Sequence, residues 1–459
     1  MSKTKKRMYL NAFEMSCAAF QSHALWRHPD DNTPGYKDIE YWTHLAKVLE
    51  KGNFDAVFIA DVLGVYDVYK GSRDPAIRSG MQVPANDPAF IVPIMASVTK
   101  YLGFGLTAST TYDHPYTFAR KMSTLDHLTK GRIGWNVVTS YLNSAAKNIG
   151  LDTQTSHDER YERADEYMEV VYKLWEASWE DDAVVIDKEK GVYTDPSKVH
   201  DINHDGKYFQ VPGNHICEPS PQRTPVIFQA GASSRGRAFA ADHAELVFVS
   251  SPSLEKTKNI VSTFREDVLK SGRPADDVKV LTTVTPIVAP TVEEAEAKLE
   301  DYQQYIDHEG ALALVSGWTG IDLAELDPTQ KVEYIENDAM RSILQGFAGM
   351  TVNEIAEKVA LGGLGELIVG DPEQIADKLE EWMDYADIDG FNIVYSITPG
   401  SFEDFVELVV PVLQERGLVR TEYEEGTFRN NLFGRDQLKE DHPAKQARKQ
   451  VVGELITQY

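Results

Sequence analysis

Residues 221–237 combine a short apolar run with small and hydroxyl-bearing residues. Residues 226–228 predict a buried strand, which runs into Gln-Ala-Gly-Ala-Ser-Ser and then a helical pattern over 236–243. Small residues before a helix leave backbone N–H groups free for an anion, and the helix dipole favours negative charge there. Ser233 and Ser234 can cap the helix and add hydroxyl donors. The segment therefore predicts either a phosphate site or an ordinary strand-to-helix loop.

Polar side chains also follow most of the other predicted strands. In a parallel barrel, the C-terminal ends of the strands form the rim of the active site. The residues expected at this rim are Glu14, Cys17, Asp61, Thr107, Ser109, Thr110, Asn136, Thr139, Ser140, Tyr141, those from Gln229 to Ser234, Asn392, Tyr395 and Ser396. This set is rich in amides and hydroxyls and poor in bases. It indicates hydrogen bonding to a flat, heteroatom-rich cofactor rather than a metal site or a nucleophile triad.

Several candidates also have a purely structural interpretation. Cys17 can be a small buried hydrophobe, and His23 and His28 can be structural hydrogen-bonding groups. Asp61 can be a helix cap instead of a cofactor contact. Tyr161 lies at the start of a predicted helix, where it can reach a phosphate or simply pack.

Sequence motifs that would indicate a dinucleotide cofactor or a catalytic metal are weak in this chain. Residues 103–108 fit a loose G-x-G-x-x-A pattern, but they lie inside a predicted strand instead of between a strand and a helix. His308 and Glu309 have no partner at metal-binding spacing. The sequence thus supports neither a bound NAD(P)H nor a catalytic metal.

Strands and helices alternate along the chain, which predicts an α/β protein with a parallel sheet. About eight such units favour a (β/α)₈ TIM barrel. The surplus residues predict insertions near 62–88, 178–223 and 301–365, of which the last is a candidate lid. We expect a single domain over residues 1–435 and a polar C-terminal tail over 436–459. The predicted strands cover residues 8–12, 55–60, 103–109, 132–138, 226–228, 246–249, 278–288, 367–369 and 390–395.

Composition limits the function classes. The chain has 459 residues, 46 Lys and Arg, 72 Asp and Glu, and a net charge of -26, which argues against nucleic acid or anionic membranes as partners. No window of about 18 apolar residues predicts a membrane span. The two cysteines, Cys17 and Cys217, form neither a zinc motif nor a disulfide framework. We expect a cytoplasmic protein.

Several blocks of the sequence resemble flavin-dependent monooxygenases of the bacterial-luciferase superfamily, in the nitrilotriacetate monooxygenase branch. The resemblance spans about residues 8–435 and implies a luciferase-like TIM barrel. It also implies reduced FMN and O₂ as co-substrates, with a separate NAD(P)H-dependent FMN reductase as partner, and a homodimer or homotetramer. The matching blocks are residues 11–17, 26–29, 58–62, 66–69, 86–88, 123–132, 135–140, 157–161, 217–223 and 229–231.

The resemblance also implies roles for individual residues. The expected FMN-binding residues are Asp61, Ser109, Asn136, Ser140, Tyr161, Gly231, Ser233 and Ser234. The catalytic candidates are Cys17, Tyr66, Tyr141 and His23, and the candidates for the substrate pocket are Phe20, Gln82 and Trp318.

The expected substrate is a small apolar or organosulfur compound. Blocks at 140–146, 228–233 and 317–322 look most like the dimethyl-sulfide monooxygenases, which implies conversion of dimethyl sulfide to methanethiol and formaldehyde. The long-chain alkane and dibenzothiophene-sulfone monooxygenases are also similar, but the alkane enzymes have His where this chain has Phe20 and Tyr141. A flavin carrier without oxygenase activity is the alternative from another class. A sugar-phosphate barrel enzyme would need a catalytic Lys or paired carboxylates, which the predicted rim lacks.

Overall fold

A computed structural model describes residues 5–231, 233–251, 253–329, 331–332 and 347–457, without the side chains of 450 and 452–457. It contains thirteen strands within these residues. In chain order they are β1 (Tyr9–Met15), β2 (Ala56–Ala60), β3 (Gly103–Ser109), β4 (Ile133–Val138), β5 (Val184–Asp187), β6 (Val192–Thr194), β7 (His204–Asp205), β8 (Gln210–Val211), β9 (Val226–Gln229), β10 (Leu246–Val249), β11 (Lys279–Val288), β12 (Glu366–Gly370) and β13 (Gly390–Ile393).

Eight of these strands close into a parallel barrel in the order β1-β2-β3-β4-β9-β10-β11-β13, with β13 paired to β1. Strand β11 is longer than its neighbours. Residues up to Val284 pair with β10 or β13, and Val284 to Val288 pair with β12, so the strand continues beyond the ring. The predicted (β/α)₈ TIM barrel is confirmed, and β12 is an additional parallel strand at its edge.

The helices surround this ring, and most lie close to their predicted positions. Two predicted helices are interrupted near prolines, which lack the N–H of a regular helix. Residues 89–99 form a 3₁₀ turn at Pro88–Phe90 and a helix at Val92–Ser97, and residues 401–416 contain a π-helical turn at Phe405–Val409. The α-helices of the described chain are Ile39–Lys51, Asp74–Ser79, Val92–Ser97, Pro115–Thr129, Asn143–Asn148, His157–Tyr172, Ser234–His243, Leu254–Lys270, Val292–Gln303, His308–Thr319, Val352–Ala360, Pro372–Ala386, Gly400–Asp404, Val410–Glu415, Phe428–Phe433 and Pro443–Thr457.

Aromatic rings fill the barrel interior. Phe13 stacks on Phe58 at a centroid distance of 4.8 Å, and Phe58 stacks on Phe248 at 4.4 Å. The Phe228 ring occupies space that glycines leave open on the facing strands, because a Cβ at Gly134 would lie 3.0 Å from it and one at Gly105 would overlap it. The glycines of the dinucleotide-like pattern therefore serve the packing of the core.

The C-terminal segment closes the bottom of the barrel. Phe428 enters the interior beside Gly103, where a Cβ would lie 2.6 Å from its ring. Arg429 and Glu245 form an ion pair at 2.8 Å in which both side chains are wholly buried. Arg429 also donates to the carbonyls of Thr224 and Pro225, so its charge is fully hydrogen-bonded.

The polar C-terminal segment packs against the rest of the chain over its described residues, 436–457. The helix Pro443–Thr457 packs on the π-helical turn at Lys173–Ala177, and buried Lys445 pairs with buried Glu176 at 2.6 Å. Buried ion pairs and exposed charges use the same residue types, so polar composition alone does not reveal this packing. The proposed boundary between a domain over 1–435 and this segment remains a prediction.

The three predicted insertions add structure outside the ring. Residues 62–88 contain the helix Asp74–Ser79, and 178–223 contain the hairpins β5–β6 and β7–β8. Residues 301–365 contain the helices His308–Thr319 and Val352–Ala360, but 330 and 333–346 lie outside the described residues. No helix among the described residues is long and apolar enough to cross a membrane.

The packing of Phe228 gives a stability prediction. We expect Gly105→Ala to lower the thermal midpoint by several degrees, because overpacking a filled core typically costs about 1–3 kcal/mol. Gly213→Ala is the control, since a Cβ at Gly213 has no atom within 4 Å. Differential scanning fluorimetry on both variants checks this, and equal midpoints would contradict it.

Candidate active site

A cavity of about 400 Å³ opens at the C-terminal ends of the barrel strands. Residues from the strand ends and from two of the insertions line it, as expected for a TIM barrel. The predicted site residues that line this cavity are Phe20, Asp61, Tyr66, Gln82, Asn136, Ser140, Tyr141, Tyr161, Gly231, Ser233 and Trp318.

One end of the cavity is suited to an anion. Ser233 is the N-cap of the helix Ser234–His243, and its Oγ accepts from Gly236 N at 3.0 Å and lies 3.2 Å from His157 Nε2. Buried Arg160 lines the same end, and its Nε has no hydrogen-bond partner. The start of a helix, a free guanidinium N–H and a hydroxyl together form an anion site. We refer to these residues as the anion end.

The middle of the cavity carries amides with free acceptors. Asn136 Nδ2 donates to Thr107 Oγ1 at 3.1 Å, whereas Asn136 Oδ1 has no partner. The Oε1 atom of Gln229 is likewise buried and unpartnered. A buried polar atom without a partner is destabilising, so these oxygens are suited to accept from a bound ligand.

Asp61 adds a titratable group to the middle of the cavity. Burial, together with the nearby carboxylates Asp87 and Asp113, raises the pKa of Asp61 to about 7, although a hydrogen bond from Val62 N lowers it. A carboxyl group with this pKa exists in both protonation states near neutral pH.

The opposite end of the cavity has a wall of aromatic and apolar side chains. Tyr66 donates to Gln82 Oε1 at 3.0 Å and lies 2.7 Å from the hydroxyl of Tyr141. Gln82 Nε2 donates to the carbonyl of Phe20 at 3.4 Å, which turns its oxygen towards Tyr66. Because Tyr66 has one proton, Tyr141 is the donor between the two tyrosines. We call this region the tyrosine end.

The insertion 301–365 completes the tyrosine end. Trp318, on the helix His308–Thr319, lies beside the hydroxyls of Tyr66 and Tyr141, and Leu364 also lines the cavity. Gly317 is required at its position because a Cβ there would overlap the Tyr66 ring. Burial raises the pKa of Tyr141 to about 12 and that of Tyr66 well above its usual value, so both hydroxyls keep their protons. A lid function for this insertion remains a prediction, and part of it lies outside the described residues.

Two catalytic candidates do not line the cavity. Cys17 is buried, its thiol donates to the Ala19 carbonyl at 3.3 Å, and burial raises its pKa well above the usual value. His23 is wholly buried, neither ring nitrogen has a partner, and burial lowers its pKa to about 4. The structure therefore favours the packing interpretation of both residues, because neither the thiolate nor the imidazolium is the favoured form.

Two predicted FMN-binding residues also lie outside the lining. Ser109 accepts from Ser140 Oγ at 2.8 Å, so it supports a lining residue without contacting the cavity. Ser234 is exposed at the first turn of its helix, whereas the neighbouring Ser233 caps the helix and lines the cavity. Sequence alone did not distinguish the two serines, because either can cap a helix.

Other lining residues were missed or not singled out. Phe13, Phe58 and Phe248 form the aromatic floor, and a period-2 pattern within their strands is the signal that identifies them. Thr283 was missed because β11 continues past the rim, so that this rim residue lies in mid-strand. Among the described residues, no group of three or more His, Cys, Asp or Glu side chains is placed to hold a metal ion.

Comparison with known proteins identifies the family of this chain. The luciferase-like monooxygenase family profile matches residues 19–387. This chain belongs to the luciferase-like monooxygenase family. Within the family, dimethyl-sulfide monooxygenase of Hyphomicrobium sulfonivorans is 52% identical over 98% of this chain and 95% of its own length. A crystal structure of DmoA from that organism has a TM-score of 0.92 at 53% identity, covering 98% of this chain and 97% of its own.

Two further members of the family are relevant to the site. Long-chain alkane monooxygenase of Geobacillus thermodenitrificans is 53% identical over 96% of this chain and 98% of its own length. Riboflavin lyase, crystallised with modified FMN and riboflavin, has a TM-score of 0.90 at 39% identity, covering 96% of this chain and 100% of its own. The family membership makes this chain a flavin-dependent monooxygenase, and the first two relatives are equally similar to it.

Glu14, expected at the rim, lies outside the barrel interior. Phe13 faces the cavity, so the next residue faces the surrounding helices. Glu14 is wholly buried, and its carboxyl accepts from Tyr41 Oη at 2.6 Å and from Met15 N at 2.9 Å. Burial raises the pKa of Glu14 from 4.5 to about 7.

We predict that Glu14→Gln removes a pH dependence of stability. The folded protein holds the Glu14 proton more tightly than the unfolded chain does. Its contribution to stability is therefore fully present below pH 4.5 and is lost as the pH rises towards about 7. The thermal midpoint of the variant should rise relative to wild type between pH 5 and 8. Glu40→Gln, at an exposed position, is the control, and parallel curves for Glu14→Gln and wild type would refute the prediction.

Proposed function

We propose that this chain is the oxygenase component of a two-component monooxygenase that uses reduced FMN and O₂ to oxygenate a small apolar or organosulfur substrate. Dimethyl sulfide is the substrate that we favour. One observation carries the proposal: a single cavity joins an anion end, a middle with unpaired amide oxygens and a tyrosine end without charged side chains. From one end of the cavity to the other, these three regions match the phosphate of FMN, its heteroatom-rich ring and a small neutral substrate.

The residues present fit FMN. The phosphate would be held by Ser233, Arg160 and the first turn of the helix Ser234–His243. Gly236 leaves room for the Tyr161 hydroxyl, because a Cβ at position 236 would lie 2.7 Å from that oxygen. The unpaired oxygens of Asn136 and Gln229 would accept hydrogen bonds from the ring system or the ribityl chain. When bound, the reduced flavin supplies the electrons that activate O₂.

A separate NAD(P)H-dependent FMN reductase would provide the reduced cofactor. The G-x-G-x-x-A pattern at 103–108 does not open a helix, and the glycines Gly103 and Gly105 face the aromatic core. These glycines are thus committed to packing, which supports reduction of the flavin on another protein.

The tyrosine end favours a neutral substrate. Arg160 is the one Arg or Lys among the described residues that line the cavity, and it lies at the anion end. At the tyrosine end the hydroxyl protons are already committed, that of Tyr141 to Tyr66 and that of Tyr66 to Gln82. A thioether, which needs neither a cation nor a hydrogen-bond donor, suits this wall, and a substrate with several carboxylates does not.

The chain's own residues would then position the substrate and exclude water. Val62, Leu142 and Leu364 add apolar surface beside the tyrosines. With dimethyl sulfide, reduced FMN and O₂, the overall reaction yields methanethiol, formaldehyde, water and oxidised FMN. One oxygen atom enters a methyl C–H bond, the C–S bond then breaks, and the flavin provides the two electrons and two protons that convert the other oxygen atom to water.

The test of function is product formation from dimethyl sulfide. Purified protein, FMN, NADH and an unrelated flavin reductase should give formaldehyde and methanethiol in equal amounts, both dependent on FMN and on the protein. Formaldehyde can be measured colorimetrically and methanethiol by gas chromatography. Product from an alkane but not from dimethyl sulfide would transfer the assignment to an alkane monooxygenase. Tight FMN binding with no product from any thioether, alkane or sulfone would indicate a flavin carrier.

The anion end gives a second prediction. Ser233→Ala should weaken FMN binding roughly tenfold, because a hydrogen bond to a charged phosphate is lost, and should leave riboflavin binding nearly unchanged. Ser234→Ala is the matched control and should bind both ligands as wild type does, since Ser234 is exposed. Flavin fluorescence titration of wild type and both variants measures the six dissociation constants. An equal loss for FMN and riboflavin in Ser233→Ala would place the phosphate elsewhere.

A further inference from the structure

Two asparagines lie side by side on the inner face of the barrel. Asn11 on β1 and Asn392 on β13 are register partners, and Thr283 on β11 is the partner of Asn392 on the other side. Asn392 and Thr283 line the cavity. Because register partners share a face, and because Phe13, two residues after Asn11, also lines the cavity, the Asn11 side chain points inward as well.

Both amides are wholly buried and have no hydrogen-bond partner. Asn11 and Asn392 are each 0% exposed, and neither Oδ1 nor Nδ2 of either residue is bonded within the described chain. The layer below them is apolar, with Tyr9, Leu281 and Phe428. Apolar side chains at these two positions would bury no unpaired polar group. Two buried carboxamides without partners are instead strongly destabilising until a ligand forms hydrogen bonds with them.

We propose that Asn392, with Asn11 beside it, recognises the imide edge of the flavin ring system. A carboxamide presents one acceptor and one donor side by side, and the imide edge of isoalloxazine offers an N–H between two carbonyls. Asn392 Oδ1 would accept from that N–H, and Nδ2 would donate to an adjacent carbonyl. The inference rests on the proposed binding of FMN and adds recognition of the ring to that of the phosphate.

The position of the amides fits this role. The anion end lies above β9, and the strands β9, β10, β11 and β13 are successive neighbours in the barrel. Three strand spacings, about 14 Å along the sheet, therefore separate the anion end from Asn392. Ser250 and Thr283, whose hydroxyls lie 3.2 Å apart, line the cavity between them. This arrangement suits a tricyclic ring joined to a phosphate through a five-carbon chain.

The experiment compares FMN with 3-methyl-FMN, in which a methyl group replaces the imide proton. Wild type should bind FMN roughly tenfold more tightly than the methylated analogue. Asn392→Leu, of similar volume, should bind FMN roughly tenfold more weakly than wild type and should no longer distinguish the two flavins. Titration with oxidised flavins, followed by fluorescence, measures this without any turnover.

Two further variants keep the test decisive. Thr282→Val is the matched control, because Thr282 Oγ1 is also buried and unpartnered but precedes Thr283 and faces away from the cavity. It should bind both flavins as wild type does. Asn392→Asp keeps a polar side chain if Asn392→Leu fails to fold, and it should also bind FMN more weakly, since a carboxylate cannot donate to a carbonyl.

The outcomes separate this inference from the proposed function. If wild type binds FMN but does not distinguish it from 3-methyl-FMN, and Asn392→Leu and Asn392→Asp bind FMN normally, the amides are hydration sites only. The inference is then overturned, while the flavin site stands. If wild type binds neither flavin, the proposed function fails first and this inference with it.

Discussion

The packing of Phe228 inside the barrel is the constraint on which the rest of the structure depends. Its ring needs facing strands without side chains, and Gly105 and Gly134 provide them. Phe58 and Phe248 then stack above, and Phe428 closes the bottom. Because this end of the barrel is filled, the open volume inside the barrel lies at its C-terminal rim, where helix starts and loops can add chemistry.

The cavity above this floor divides into two regions because its walls come from different kinds of element. The anion end is built from the start of a helix, its cap Ser233 and the buried Arg160. The tyrosine end is built from insertions, where Tyr66 fits only because Gly317 has no side chain. The first region can stay constant while insertions change the second. Relatives of this chain are named for different substrates, as this division of the cavity would allow.

Sequence reasoning predicted features that depend on local pattern and missed those that depend on pairing across the fold. The alternation of strands and helices predicted the barrel, and strand ends located Asp61 and Asn136 at the rim. Thr283 escaped because the length of β11 beyond the ring depends on its pairing with β12. Cys17 and His23 also come after β1 in the chain, but both are buried and neither lines the cavity. The buried pair of Arg429 and Glu245 joins residues far apart in the sequence, so no local pattern reveals it.

Overall similarity does not decide the substrate, because two relatives with different substrates are equally similar to this chain. In our proposal, the preference for one substrate class depends on the direction of a few hydrogen bonds in the cavity wall. The carbonyl of Phe20 accepts from Gln82, Gln82 accepts from Tyr66, and Tyr66 accepts from Tyr141, so the hydroxyl protons of both tyrosines are used within the wall. Under the proposed function, a wall whose tyrosine protons are already used within it favours a neutral substrate over a carboxylate. The compact thioether that we propose would then be recognised by its shape and by the exclusion of water.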